Sequence, residues 1–293
     1  MDLNKRCFIF ITFALLIVSC RVETRKNNFI AFSDSSGLFY NMSSEKVSFD
    51  SLLSSTLEIG IDAETIEPLF PTSLSGFGGI ARRLLAPFFH NIGESYSYCK
   101  PYTSIDREPR VKVIALSGRD SIDNTQKNYI IISYDIVAVP SDLSLKLLKT
   151  LQHSFPNLNL SENNLQIIAT HTHSGPAGLT ENPLWSVGVC DRFNKKVYSH
   201  TIEQTLLAFE NAIRNKQKMT RLQVSSITVD NINKSRVKNM PVDQKSLLIT
   251  FQGPDSDKSL GCLQTFSVHP TWYGVNDLTL SSDLAGYIEN ALE

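Results

Sequence analysis

Apolar and polar positions follow two periods along this chain, and each change of period marks a new element. Arg110–Leu116 (RVKVIAL) and Tyr129–Tyr134 (YIIISY) read as strands, and the isoleucine run of the second predicts a central position covered on both faces. Leu143, Leu147, Leu148, Leu151 and Phe155 then recur at helical spacing. They predict a helix over Ser141–Phe155, with Ser141 as its N-cap and Pro156 as its stop. Leu165–Ala169 (LQIIA) is short, apolar and β-branched, a strand with both faces buried. Strand, helix, strand predicts a βαβ crossover. Leu57–Ile61 is a short strand where the globular part begins, and Asn194–Lys216 is a second amphipathic helix, with Tyr198, Ile202, Leu206, Phe209 and Ile213 on one side. Arg221–Val229 reads as a strand. Ser246–Phe251 and Leu260–Val268 flank the turn Gly253-Pro254-Asp255 as a hairpin, and a helix over Leu284–Leu292 follows Asp283. The predicted fold class is α/β, with mixed β-sheets flanked by α-helices.

The strand Leu165–Ala169 runs straight into Thr170-His171-Thr172-His173-Ser174-Gly175-Pro176. Two imidazoles two residues apart point the same way if the strand persists that far. Neutral imidazole ligates zinc-like metals and carries protons near pH 7. A lone histidine is more often a packed side chain or a turn cap. The small residues around this pair leave room for a ligand instead. A third histidine, His269, ends the strand of the predicted hairpin, and two strands each delivering a histidine at one edge would make half of a zinc site. Asp135 directly follows the isoleucine strand, where an acid either backs a metal-bound histidine or caps the next helix. Gly76-Phe77-Gly78-Gly79 implies a tight turn or close backbone approach and is given no catalytic role. His90 and His200 read as structural, and Trp185 as either a cleft wall or a surface loop residue.

The T-H-T-H-S-G-P string resembles the zinc-site motif of the neutral, non-lysosomal ceramidases. Phe266-Ser267-Val268-His269-Pro270-Thr271 resembles that family's F-x-V-H-P-T segment, and Ser281-Ser282-Asp283 with Gly286-Tyr287 follows in family order. The resemblance covers roughly residues 57–293 and implies the first, incomplete part of a catalytic domain. It implies that His171 and His269 bind Zn2+ and that His173 hydrogen-bonds the substrate or the reacting oxygen. The family's N-I-N-R-S segment corresponds to Asn231-Ile232-Asn233-Lys234-Ser235, which puts Lys234 where the family has a substrate-contacting Arg, with Arg236 two residues on. Lys cannot reproduce the forked geometry of Arg. Trp272 stands where the family more often has a small residue, so the rim of the pocket is expected to differ. A G-D-V-S-P-N type segment with the catalytic serine, a Glu and a Tyr that complete the metal site, and an immunoglobulin-like domain are expected from the family and do not occur in this sequence. The expectation is a fragment or interrupted reading frame, ending before the serine.

The N-terminus reads as a targeting segment. Lys5 and Arg6 precede the apolar run Phe8–Val18, which is well short of the roughly 20 residues that span a bilayer. Leu16-Ile17-Val18-Ser19-Cys20 resembles a bacterial lipobox, so residues 1–19 would be a lipoprotein signal peptide and Cys20 the lipidated residue. Residues 20–50, rich in Asn, Ser and Lys, would be a flexible tether, and residues 51–293 the partial catalytic domain. That predicts an anchored protein of the bacterial cell envelope. Three cysteines then remain, Cys99, Cys190 and Cys262, enough for at most one internal disulfide. A net charge of −1 and a pI near 6.6 leave no electrostatic footprint for nucleic acid. The function implied by the resemblance is hydrolysis of the amide of N-acylsphingosine (ceramide) to a sphingoid base and a fatty acid. The alternatives are a non-catalytic, lipid-binding lipoprotein and a hydrolase of other amides or esters.

Overall fold

The computed structural model describes residues 57–78, 82, 90–92, 95–120, 123–229, 233–255 and 259–292, together with the short strands Leu15–Val18 and Ser44–Glu45. Cys20, most of the expected signal peptide and nearly all of the expected tether lie outside the described residues.

Two sheets and two helices form three layers. The first sheet contains β1 (Glu58–Thr65), β2 (Arg110–Arg119), β3 (Gln126–Tyr134) and β4 (Leu165–Ala169), in that spatial order, with Gln217–Lys218 beside β1. β1, β2 and β3 pair antiparallel, and β3 pairs parallel with β4. The parallel pair is the predicted crossover, made by α1 (Ser141–Ser154). Pro140, not Ser141, holds the cap position of α1, and no side chain caps it. The second long helix, α2 (Lys195–Arg214), is capped by the Asn194 side chain, which accepts from the backbone N–H groups of Lys196 and Val197.

Strand alternation divides the core. Val111, Val113, Ala115, Ile130, Ile132 and Tyr134 face the helices, where they meet Leu143, Leu147, Leu151, Ala208, Phe209 and Ala212. Ile59, Ile114 and the partly buried Ile131 face the other way and pack against Met219 and against Phe251 and Leu263 of the second sheet. Gly60 lets α2 lie close, because a Cβ there would come within 1.8 Å of the Ala212 carbonyl oxygen. The isoleucine strand β3 is therefore covered on both faces, as its composition demands. β4 is not: it is the edge of the first sheet among the described residues, and beyond Leu165 it is only partly buried or exposed.

The second sheet is built on β5 (Arg221–Thr228), β6 (Lys245–Gln252) and β7 (Ser259–Phe266), antiparallel throughout, with Leu15–Val18 beside β7 and Ser44–Glu45 beside β5. The hairpin forms where the turn residues placed it. It belongs to this second sheet, and the first sheet is mixed on account of its own β2–β3 hairpin. α3 (Asp283–Leu292) is the last element.

Four charges cross the interior where α3 meets the first sheet. Lys112 and Asp135 are almost wholly buried and joined at 2.8 Å, and Lys112 also ion-pairs with buried Glu289 of α3. Arg110 completes the set at 2.8 Å from Glu289. Burial alone would depress the Lys112 ammonium, but the two carboxylates carry it above its ordinary value. Asp135 thus neither backs a histidine nor caps α1, as either sequence reading had it; both its oxygens accept from Lys112 and one also takes the Arg110 N–H. Cys99 and Cys262 are both buried.

Candidate metal centre

His171 does not continue β4. The strand stops at Ala169, and His171 adopts φ +67°, the left-handed region, at a cost of about 1–2 kcal/mol for a side chain with a Cβ. Neighbouring backbone imposes this turn. Thr170 N–H donates to Tyr134 O (2.9 Å) and His171 N–H to Ile136 O (3.1 Å). On one side Ser73–Ser75 runs antiparallel along Gly175–Ala177, with Ser75 N–H to Gly175 O at 3.0 Å and Ala177 N–H to Ser73 O at 3.0 Å. On the other, Ser281 N–H donates to Ser174 O (2.9 Å) and the Thr172 hydroxyl to Ser281 O (3.2 Å). The two imidazoles converge through this left-handed turn, and not by the alternation of an extended strand.

The third imidazole comes from the second sheet. β7 ends at Phe266, and His269 lies in the irregular segment that follows. The segment is held by Asn233, whose amide donates to Ser267 O, and by Asp283, which accepts the Trp272 N–H at 2.8 Å. The rings of His171 and His269 then lie 4.9 Å apart, those of His173 and His269 4.7 Å, and those of His171 and His173 5.0 Å, between centroids. One ligand atom from each falls within 4.8 Å of the others. The structure brings together all three histidines singled out in the sequence.

Their hydrogen bonds differ, and the differences assign nitrogens. His171 Nδ1 lies 2.5 Å from the Val137 carbonyl, which can only accept. Nδ1 therefore carries the proton, and Nε2 presents a lone pair to the cluster. His173 is the reverse: the Phe77 backbone N–H donates to its Nδ1 at 3.3 Å, so the neutral ring carries its proton on Nε2. His269 Nδ1 faces the Thr271 hydroxyl at 3.3 Å, which leaves Nε2 as its inward atom. The His171 and His173 Nε2 atoms are 3.4 Å apart. The His173 Nε2–H thus lies within hydrogen-bond reach of the His171 lone pair and is not itself a ligand. The Nε2 lone pairs of His171 and His269, with ligand atoms within 4.8 Å of each other, are the donor type that zinc takes.

The surroundings hold His173 and His269 below the ordinary imidazole value. Burial, with His171, His269, Arg82 and Arg236 nearby, pulls His173 down to about 4. Burial first, then His171 and Arg236, lowers His269, with Asp283 opposing. Arg236 reaches within 3.4 Å of His269 Nε2. Lys234 is exposed and lines a cleft of about 390 Å³ with Asn233, Asp243, Ser267 and His269. Trp185 and Trp272 are on the surface, the latter 71% exposed and stacked near Tyr287.

Sequence reasoning passed over the segment from Ser75 to Arg82. Gly76 (φ +86°) leaves no room for a side chain, since a Cβ would sit 2.6 Å from the His173 ring. Arg82, fully buried, donates to His173 O at 2.5 Å, and burial pulls it down to about 10 against Cys99, Asp277 and Asp283. The glycine cluster was the visible signal. What the sequence lacked was any sign that Ser75–Phe77 and Arg82 lie against the histidine loop almost a hundred residues away.

Among the described residues, no helix is long and apolar enough to cross a membrane. The sequence model of the family described as neutral/alkaline non-lysosomal ceramidase, N-terminal, matches residues 120–293, which include His171, His173, Lys234, Arg236 and His269. A neutral ceramidase of Pseudomonas aeruginosa is 25% identical over 173 residues, 55% of this chain and 25% of that protein. Neutral ceramidase A of Dictyostelium discoideum is 25% identical over 178 residues, 57% of this chain and 25% of that protein. Among solved structures, a ceramidase complexed with C2 superposes with a TM-score of 0.65 at 17% identity, over 80% of this chain and 34% of that one. The crystal structure of the P. aeruginosa neutral ceramidase gives a TM-score of 0.63 at 17% identity, over 80% of this chain and 35% of that one. The matched part is thus a quarter to a third of each relative.

Proposed function

The chain belongs to the neutral/alkaline non-lysosomal ceramidase family, and on that premise we propose that it is part of a zinc-dependent amide hydrolase acting on N-acylsphingosine. The observation that carries this reading is the convergence of three imidazoles from two sheets, with His171 Nδ1 committed to Val137 O. His171 and His269 would hold the ion through Nε2. When bound, zinc supplies Lewis acidity that polarises an amide carbonyl and acidifies a coordinated hydroxyl or water.

The protein's own groups do the rest. His173 keeps its Nε2–H beside the ligand atoms and offers it to the substrate or the reacting oxygen, because Phe77 occupies its other nitrogen. A cation on the β5–β6 connection would steady negative charge developing on the carbonyl oxygen. Lys234 holds the position aligned with the family Arg, while Arg236 has the forked head and already reaches His269. Parallel Lys234→Ala and Arg236→Ala variants separate the two by which loses more kcat. Acylation at Cys20 would place the domain beside a membrane-borne substrate at the cell envelope. Palmitate labelling that survives Cys20→Ser would sink that part.

The test is metal analysis of the purified protein in its full-length form, followed by release of fatty acid from an acyl-labelled ceramide with zinc present. Release that is stopped by a chelator and restored by zinc is the expected result. A folded, zinc-loaded protein that binds ceramide without turnover would favour a lipid-binding role, and release only from other amides or esters would reassign the substrate.

A further inference from the structure

Arg82 is 1% exposed, and its hydrogen bonds among the described residues all go to backbone carbonyls. One terminal nitrogen donates to Ser75 O (3.3 Å) and His173 O (2.5 Å); the other donates to Asp277 O (3.2 Å) and Gly274 O (3.4 Å). Its Nε is buried without a partner among the described residues. Three separate segments therefore meet on one planar fork. They are the Ser75 loop, the His173 loop, and the loop that carries the chain from His269 to α3. The neighbouring Phe77 N–H fixes the ring of His173, so this short stretch holds that residue at both its backbone and its imidazole. A buried cation is costly to keep when an apolar side chain would fill the same space, and only a rigid fork can bridge three backbones at once.

We propose that Arg82 is a positioning residue for the imidazole cluster, setting the His173 side against the His269 side by clamping the loops that bear them. The proposal rests on the metal-centre reading above.

The experiment compares the full chain with Arg82→Lys, Arg82→Met and, as control, Arg214→Ala, whose side chain is 71% exposed on α2. Zinc affinity is measured by competition with a chromophoric chelator, and site geometry from the visible spectrum of the cobalt(II) form. The expected result is affinity about 10–100-fold weaker in Arg82→Met, a smaller loss in Arg82→Lys, an altered cobalt spectrum in both, and no change in the control. Zinc and cobalt behaviour within threefold of wild type in both Arg82 variants overturns the proposal. Hydrogen exchange of the wild-type chain decides it if neither variant folds. Zinc must then slow exchange at Ser75–Phe77 and at residues 274–277, and protection confined to the histidine segments overturns it. A wild-type chain that binds no zinc sinks the metal reading itself, whereas a zinc-binding wild type with unaffected variants sinks Arg82 alone.

Discussion

The two flanks of the imidazole cluster are built differently. The His171–His173 flank is embedded: it follows a strand of the helix-covered sheet, lies between Ser73–Ser75 and Thr279–Ser281, and has each ring tied to a backbone group. The His269 flank is an exposed segment beyond a hairpin of the other sheet, held by Asp283, Asn233 and a threonine hydroxyl. The embedded flank has more ties to backbone, so an ion bridging the two is expected to order the His269 flank more.

The sharpest way to break this contrast is Lys112→Met. It leaves Asp135 and Glu289 buried without their shared cation, and should cost about 3–5 kcal/mol in a urea titration. Asp135 sits two residues before Val137, so the embedded flank should loosen first, read as a larger increase in hydrogen exchange at His171 than at His269. Equal loosening would show the flanks to be mechanically one.

Next come His171→Ala and His269→Ala. Each should weaken zinc binding by on the order of a hundredfold or more, because an inner ligand matters at least as much as the outer partners that bring 10–100-fold effects. Their metal-free stabilities should differ. Loss of the Val137 hydrogen bond makes His171→Ala less stable by about 1 kcal/mol, whereas the exposed His269→Ala stays within about 0.5 kcal/mol. Matching thermal midpoints would remove the distinction.

Gly76→Ala should destabilise by roughly 1–3 kcal/mol, from the left-handed backbone and the contact with His173. Gly274→Ala, whose new Cβ would meet only the Asp277 carboxylate at 3.3 Å, should be milder. A calorimetric scan of both variants decides.

The smallest effect is with pH. In the metal-free chain His173 is depressed to about 4 and His269 is also lowered, against an ordinary value of 6.5. Between those values the unfolded chain binds more protons than the folded one, so stability rises with pH. Their contribution is complete above about pH 6.5 and is lost as pH falls toward 4. The embedded flank should dominate: His173→Gln should flatten the slope of stability against pH more than His269→Gln.

Much of this was legible in the chain. The helical periodicity of Leu143, Leu147 and Leu151, the isoleucines of β3 and the hairpin turn at Gly253 are local signals with local causes, and their elements formed within a few residues of expectation. The two histidine strings were visible for the same reason, as short runs whose residue types announce a ligand. The Ser75–Arg82 loop was not, because a glycine cluster shows close approach without saying to what. Asp135 was misread because its partner Lys112 belongs to another strand and Glu289 to the last helix.

Local pattern along the chain set which segments would be strands and helices and which side chains had the chemistry for a metal. Tertiary structure alone decided that β4 is an edge, that His171 turns left-handed, and that imidazoles from two different sheets share one space. The reason is range: periodicity and turn propensity act over a few residues, whereas the φ of His171, the proton on each ring and the clamp at Arg82 are set by backbone groups from distant parts of the chain, brought near only once both sheets have packed.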